Sequence, residues 1–503
     1  MCMTVPEVLV IGAGPTGLTL ACSLLLHGVS VRVIDRASGP AVTSRANFLH
    51  ARGSEVLDRL GALGTLPDQS LRGMRITTYL GDRPIMRLRF GDLGLRTAAP
   101  PMLVSQAKIE AALRDRFAEL GGVPEWNRAL VDLRQDNDGV TAVPGGGESV
   151  RTQWLVGCDG TGSATRQLAG IGFPGCRLSE RFLLADLHLD WDLDRSGTTG
   201  WIHPAGMIGA MPMPDSGGSN DLWRLIAYDP GDDEKSTEQE VLERFRKILP
   251  ERTQRDVRIG DAEWLSLFSV HRRLADSYRR GRILIAGDAA HAHAPFGGQG
   301  MLTGIGDAEN LAWKLALILR AKASEALLDT YETERRPLAT EVLRGTSTVT
   351  RMNIASKPVG RFVRDRIVVP LVGLAPVQRW ATYTASQLWV SYRKGPLGGR
   401  GRKPRPGDRI ADLDCVRDDG TPTRLHAELG GRWALLVPEH AVTFAGYDVA
   451  RTWLGNYLDR LRYHGAQPML VRPDAHLAWR GDVDDTVGLE RWLAAAMHTG
   501  RVR

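Results

Sequence analysis

The sequence predicts an α/β protein in which a parallel-sheet, dinucleotide-binding domain is split by an inserted α+β sheet domain and followed by a small C-terminal domain. Three observations predict it: a βαβ pattern at residues 7–36, a change to antiparallel strand patterns over 181–274, and strand and helix patterns after a Gly/Pro/Arg-rich stretch near residue 400. The boundaries that follow are 1–175 and 276–394 for the dinucleotide-binding domain with its helical extension, and 176–275 for an inserted substrate-binding sheet domain. Residues 395–406 then form a linker and 407–503 the last domain.

The opening stretch EVLVIGAGPTGLTLACSLLLHGVSVRVIDR organises the rest. Residues 8–12 read as a buried strand, the apolar run to His27 as a helix, and residues 31–34 as a second strand ending at Asp35. Between strand and helix, Gly12 makes the tight turn, Gly14 lets the backbone approach a pyrophosphate, and Gly17 lets the helix pack close to the strand. The free N–H groups and positive end of that helix would hold phosphates. Asp35, in place of a base, favours a free ribose hydroxyl, as in FAD or NAD.

Bulk properties narrow the class. At 503 residues the chain needs two or three domains, and 43% hydrophobic with 24% charged residues is a globular composition. No run of about 18 apolar residues reads as a membrane span, and the N-terminus enters its first strand without a secretory pattern, so a cytoplasmic protein is expected. The five scattered cysteines form no CxxC or metal-ligand spacing and read as free thiols, so no metal site is expected. A net charge of +6, spread over the chain, is a solvated surface and no nucleic-acid footprint. GGRGRKPRPGDR, residues 398–409, reads as an exposed linker, with binding of an anionic partner as the lesser alternative.

In chain order, residues 44–52 look extended and 53–63 helical, flanked by Arg45 and Arg52, which either solubilise the surface or neutralise a dinucleotide. Residues 76–90 alternate as strands around GDRP. Ser105 caps a helix with Ile109, Leu113, Phe117 and Leu120 on one face, and Gln106 in its first turn is placed to reach a ligand or solvent. A hairpin over 130–143 precedes the strand and glycine turn WLVGCDG, where Asp159 is structural or, if beside the first glycine loop, faces the same cofactor.

The insertion carries strand patterns at 182–191, 199–213, 222–228 and 262–274 around a helix at 238–249. Its tryptophans Trp191, Trp201, Trp223 and Trp264 are either core or the wall of a flat apolar pocket. RILIAGDAAHAHAPFGGQGM then gives a strand, Asp288 after a glycine, and a second glycine-rich loop leading into a helix at 303–319. Such an acid and such a helix start can hold ribitol hydroxyls and an anionic flavin ring. His291 and His293 lack further ligands and read as structural or pocket-lining. Helices continue over 326–350 and to about 391, and residues 407–503 suggest a small βαβ-like unit.

GAGPTG, GCDGTGSATR and AGDAAHAHAPFGGQGM, in this order, resemble the class A FAD-dependent aromatic hydroxylases of the para-hydroxybenzoate hydroxylase-like superfamily, in the actinobacterial polyketide-tailoring branch. The similarity covers essentially the whole chain, and LVRPDAHLAW resembles that branch's thioredoxin-like tail, here without CxxC. It implies a Rossmann-like FAD-binding domain, an inserted α+β substrate domain and a C-terminal thioredoxin-like domain. It also implies that Gly12, Gly14, Gly17, Asp35 and Arg36 hold the ADP half of FAD, and that Arg45 and Gln106 meet the linking chain or ring. Asp159 would contact flavin and nicotinamide, Asp288 the ribitol, and Gly298, Gly300, Met301 and Leu302 would lie under the isoalloxazine. Trp201, Trp223 and Pro295 are the corresponding substrate-pocket candidates.

In that family NADPH or NADH visits as a transient reductant, and a flavin C4a-hydroperoxide gives one oxygen to an electron-rich ring. The expected activity is therefore FAD-dependent monooxygenation of a polycyclic or polyketide-type natural product, with no catalytic triad and a monomer or homodimer as the working form. The sequence departs from the family at Leu302, where asparagine is common, and at Ala294, where proline is frequent, and the altered loop at Leu302 supports an alternative. That alternative is a non-redox, FAD-containing cyclase catalysing [4+2] cycloaddition to a decalin in spirotetronate- or spirotetramate-type biosynthesis.

Overall fold

The computed structural model describes residues 5–42, 46–72, 75–89, 97, 99–214, 218, 220–229, 236–292, 298–353, 371, 374–441 and 444–502. Its first sheet has the order Arg279–Arg280, Ile283–Ile285, Trp154–Gly157, Val8–Ile11, Val31–Ile34. All neighbours are parallel except the first pair, with Val8 opposite both Trp154 and Val31, and Leu155 opposite Ile283. The apolar runs follow from burial on both faces: one face carries helices, and the other a three-stranded antiparallel meander, Leu130–Gln135, Val140–Pro144 and Val150–Thr152.

Three helices lie in the first third of the chain. Helix α1 (Pro15–Leu26) begins with proline at its first position, where the missing N–H costs nothing, and buries Leu18, Leu20, Ala21, Cys22 and Leu24. Helices α2 (Ala51–Arg59) and α3 (Gln106–Glu119) follow, the latter capped by Ser105 accepting from the Lys108 N–H. Helix α4 (Ala164–Leu168) is one short turn after the third strand of the sheet, and α5 (Glu238–Thr253) opens with a Thr237/Glu240 capping box. The long α6 (Gln299–Leu319) packs against α1, and α7 (Asp329–Asn353) follows it.

The second sheet has eight strands, in the order His291–Ala292, Arg258–Leu274, Gly175–Asp190, Leu222–Asp229, Ile208–Pro212, Gly197–Ile202, Arg75–Leu80, Arg83–Arg89. The stretch expected as one strand pattern at 199–213 is two strands turning at Gly206. The sheet is also larger than the stretch 176–275: Gly197–Ile202 pairs in parallel with Arg75–Leu80, from Gly197 opposite Arg75 to Ile202 opposite Leu80. That pairing covers an edge that would otherwise present open backbone groups. Helix α5 covers one face of this sheet with Val241, Phe245, Ile248 and Leu249.

A third sheet, Pro422–Arg424, Asp414–Arg417, Leu458–Tyr463, Trp433–Pro438, Met469–Val471, Leu477–Arg480, closes the chain. Helices Gly446–Leu454 and Thr486–Thr499 share its core with Trp433, Leu435 and Trp479. In the stretch expected as a linker, Arg400, Gly401 and Arg402 are exposed, while Gly407 is tied to the sheet by its N–H donating to Leu477 O at 2.7 Å.

A buried ionic network joins this third sheet to α2, α6 and α7. Arg52 and Arg59 both pair with Glu309, and Arg52 also donates to the Asp474 backbone oxygen at 2.8 Å. Arg472 and Lys314 converge on Glu334 at 2.8 and 2.9 Å, and Arg409 pairs with Glu55. Arg52 is thereby neither a surface charge nor a dinucleotide ligand, because its guanidinium is enclosed between two parts of the molecule.

Candidate active site

The three glycine loops meet at the carboxyl end of the parallel sheet. Gly12 has φ +107°, and a Cβ there would run into the carbonyl oxygen of Cys158, so only glycine fits where the first loop touches the Asp159 turn. A Cβ at Gly17 would collide with the Gly12 carbonyl oxygen, which fixes α1 close against the strand. The third loop reaches the first through Gly287, where a Cβ would sit 2.5 Å from Thr16 Oγ1. Gly14, by contrast, has open space around it, with nothing within 4 Å of an added Cβ.

Asp35 ends the second strand half-buried. Its Oδ2 accepts from the Ala13 N–H at 2.7 Å and its Oδ1 from the Ala37 N–H at 2.8 Å, which ties the acid to the glycine loop. Arg36 beside it is exposed, and Arg45 lies outside the described residues. Gln106 lines the central cavity, its backbone N–H donating to Ala46 O and its side chain to Glu110 Oε1 at 2.8 Å. Asp159 is placed differently from a free ligand group. Its two oxygens accept from Ser163 Oγ, the Thr165 N–H and Thr165 Oγ1, holding the start of α4, and Thr161 is the member of this turn that lines the cavity.

Asp288 lies exposed on a short turn, Gly287–Ala289, and lines the same cavity, as do Gly298, Gly300 and Met301. Leu302 does not: it is buried, with Cδ1 3.3 Å from where a Cβ on Gly53 would stand. His291 is fully buried and its Nε2 meets Asp307 Oδ2 at 2.6 Å. Burial alone would raise the Asp307 pKa, but His291 and Arg335 beside it hold the carboxyl at about 2. His293 and Pro295 fall outside the described residues.

The cavity, about 610 Å³, lies between these loops and the uncovered face of the eight-stranded sheet. Strand alternation decides which side chains reach it. On Leu222–Asp229, Arg224 and Ile226 face the cavity, whereas Trp223, Leu225 and Ala227 face α5. Trp223 is therefore core and no pocket wall: its ring meets Trp191 edge-on at 5.2 Å and lies under the Arg195 guanidinium at 4.9 Å. Trp201 packs on the helix-facing side, stacked on Tyr79 at 6.0 Å, and also lines the cavity.

Among the polar cavity residues that no motif announces are Asn47, His50, Arg224 and His271. Asn47 Nδ2 donates to Met211 Sδ at 3.3 Å, and His50 Nε2 lies 3.1 Å from Gln299 Nε2 at the start of α6. Arg224 is held bidentately by Asp186 at 2.7 and 2.6 Å, so a buried cation is neutralised at the wall. Arg224 and His271 are placed by strand register, and Asn47 and His50 by the turn into α2, neither of which a local motif reveals.

The site fits an adenine dinucleotide bearing a flat ring. Helices α1 and α6 both begin at a glycine, without a side-chain cap and without an acid in the first turn. Their first N–H groups and positive ends are left for an anion. Open space at Gly14 lies at one end, Asp288, Gly300 and Met301 border the cavity at the other, and Asp35 stands beside the first loop.

Comparison with known proteins agrees. Residues 6–346 match the family model described as an FAD binding domain. The chain is 34% identical to 6-methylpretetramide 4-monooxygenase of Streptomyces rimosus, covering 97% of this chain and 93% of that protein. Among solved structures, the anhydrotetracycline hydroxylase OxyS of Streptomyces rimosus superposes with a TM-score of 0.80 at 30% identity, covering 99% of this chain and 100% of that one. The Diels-Alderase PyrE3 of pyrroindomycin biosynthesis superposes with a TM-score of 0.74 at 28% identity, over 94% and 96%. With two thirds of its length in that family model and these relatives along nearly all of it, the chain belongs to the FAD-binding-domain family of flavoprotein monooxygenases, with FAD as its cofactor.

Proposed function

We propose that this flavoprotein oxygenates a polycyclic, polyketide-type natural product in an antibiotic-like tailoring pathway, using NADPH or NADH as reductant. One observation carries the reading: a cavity of about 610 Å³ whose floor is the loop at Gly298, Gly300 and Met301 and whose roof is a largely apolar sheet face carrying a few polar groups. Bound FAD supplies the transfer of electrons from the nicotinamide and the activation of dioxygen. The chain's own residues do the rest. Asp35 receives the ribose hydroxyls, the N–H groups at Gly14 and the start of α1 receive the pyrophosphate, and Asp288 the ribitol. Arg36 adds charge to the ADP half, and Arg45 and Gln106 meet the linking chain or ring. Ile76, Ile226 and Phe268 exclude water and hold the substrate flat, while Asn47, His50 and His271 offer its oxygens hydrogen bonds.

The same reading gives residues 176–275 as the core of an inserted α+β substrate domain and 407–503 as a thioredoxin-like domain without CxxC. It also places the protein in the cytoplasm as a monomer or homodimer; none of the described helices is long and apolar enough to cross a membrane.

A second reading, a flavin-bound [4+2] cyclase, is favoured by the likeness to the Diels-Alderase structure. Against it, Leu302, the departure that motivated it, packs on α2 and takes nothing from the cavity wall. Anaerobic mixing of the yellow protein with NADPH separates the two, using anhydrotetracycline and a panel of polycyclic phenols. Bleaching accelerated by one of these supports the monooxygenase. A flavin that stays oxidised while a polyene substrate isomerises without mass gain overturns it.

A further inference from the structure

We propose that Arg114 anchors the AMP half of FAD, extending the cofactor site along α3 beyond the residues that the glycine motifs mark. Helix α3 buries Ile109, Leu113 and Phe117 in the core and sets Gln106, Glu110 and Arg114 at four-residue spacing along an adjoining stripe. Gln106 opens the stripe at the cavity. Its amide donates to Glu110, a carboxyl only 5% exposed. Burial raises the Glu110 carboxyl above its ordinary pKa, and Arg114, which lowers it, and Asp35, which raises it further, both act on it, so the three groups share one electrostatic neighbourhood.

Arg114 is half-buried, and its Nη1 is closed to solvent with no hydrogen-bond partner. A guanidinium nitrogen so placed ordinarily has an acceptor, since losing water without a partner is costly. Its neighbour on the helix behaves that way: Arg116 donates to Leu60 O and to Glu119, each at 2.7 Å. The nearest carboxylate does not serve Arg114, because Glu110 Oε1 accepts from Gln106 and Arg114 has no bond to it. The missing acceptor is an anionic or hydroxyl oxygen supplied by the ligand that Asp35 and the α1 N-terminus receive. A phosphate or ribose oxygen of the AMP half meets that need, and a guanidinium suits it.

The test compares FAD with riboflavin, which keeps the ring and ribityl chain but lacks the AMP half. Full-length apoprotein, wild type and Arg114→Met, is titrated with each while flavin fluorescence quenching is followed. Loss of one charge-assisted hydrogen bond predicts FAD and AMP binding each weakened by about tenfold to a hundredfold, with riboflavin binding unchanged. Arg114→Lys keeps the charge, restores part of the FAD affinity and serves if the methionine variant does not fold. Unchanged FAD affinity overturns the proposal, and so does an equal loss for FAD and riboflavin, which marks a role in the fold alone.

Discussion

Two glycines three residues apart are expected to fail in opposite ways when given a methyl group. At Gly17 the added Cβ collides with the Gly12 carbonyl oxygen and lies 3.3 Å from the Cys158 side chain. Relief needs α1 to back away by about 1 Å or more to reach ordinary carbon–oxygen contact. Leu18, Leu20, Cys22 and Leu24 on α1 are all 0% exposed, so no slack exists for that movement. Overpacking of this kind costs about 1–3 kcal/mol, read as a fall of several degrees in the melting temperature of Gly17→Ala apoprotein. Gly14→Ala meets nothing within 4 Å, and its φ −78°, ψ −176° is open to alanine. Its apoprotein should lose under about 1 kcal/mol, the cost of alanine at a helix N-cap. The new methyl group stands where the pyrophosphate approaches, so FAD affinity should drop by at least about tenfold, the loss of one charged hydrogen bond. Differential scanning fluorimetry of the apoproteins and FAD titration separate the effects. Wild-type FAD affinity in Gly14→Ala would refute the assignment of the first loop to the cofactor.

Asp288→Ala removes the exposed acid at the cavity and should yield largely colourless protein; full flavin content after gel filtration contradicts the ribitol assignment. On one strand, Trp223→Leu should lower stability by about 2–4 kcal/mol with the oxidised flavin spectrum unchanged. Its neighbour Ile226→Trp should leave stability near wild type and abolish substrate-stimulated flavin reduction, and a reversed pattern would sink the face assignment. The carboxyls of Glu55, Glu334 and Asp307 are each held at about 2, because burial, which raises them, is overcome by Arg409, by Arg472 with Lys314, and by His291 with Arg335 respectively. A folded pKa below the ordinary value contributes stability above about pH 4.5 that is lost as pH falls toward 2. Melting temperature should therefore decline between those limits, and a flat profile from pH 6 to 3 argues against the network.

The glycine loops were legible because each step of their chemistry is local: Gly12 and Gly17 declare a turn and a close approach within six residues, and Asp35 follows at a set distance. Ser105 as a cap and Glu238 as a helix start were readable for the same reason. What escaped depends on contacts distant in sequence. Trp201 and Trp223 read equally well as core or pocket, since register, settled by the pairing with Thr77–Leu80 and Leu187–His188, decides their side. Arg52 and Arg59 lie in an ordinary amphipathic helix pattern, and their acid partner Glu309 is 257 and 250 residues downstream. Asp159 sits where a ligand contact is expected, yet the serine and threonine after it offer nearer donors.

The ionic seam between the third sheet and α6 makes the tail of this protein something other than a detachable module. Deleting it would expose the apolar faces of Trp313 and Leu317 and leave Glu334 with Lys314 but without Arg472. Because α6 begins at the cavity floor and runs back to that seam, the helix is clamped on the side remote from the cavity. Chimeras that swap tails between relatives therefore need Arg52, Glu309, Lys314 and Glu334 exchanged along with them.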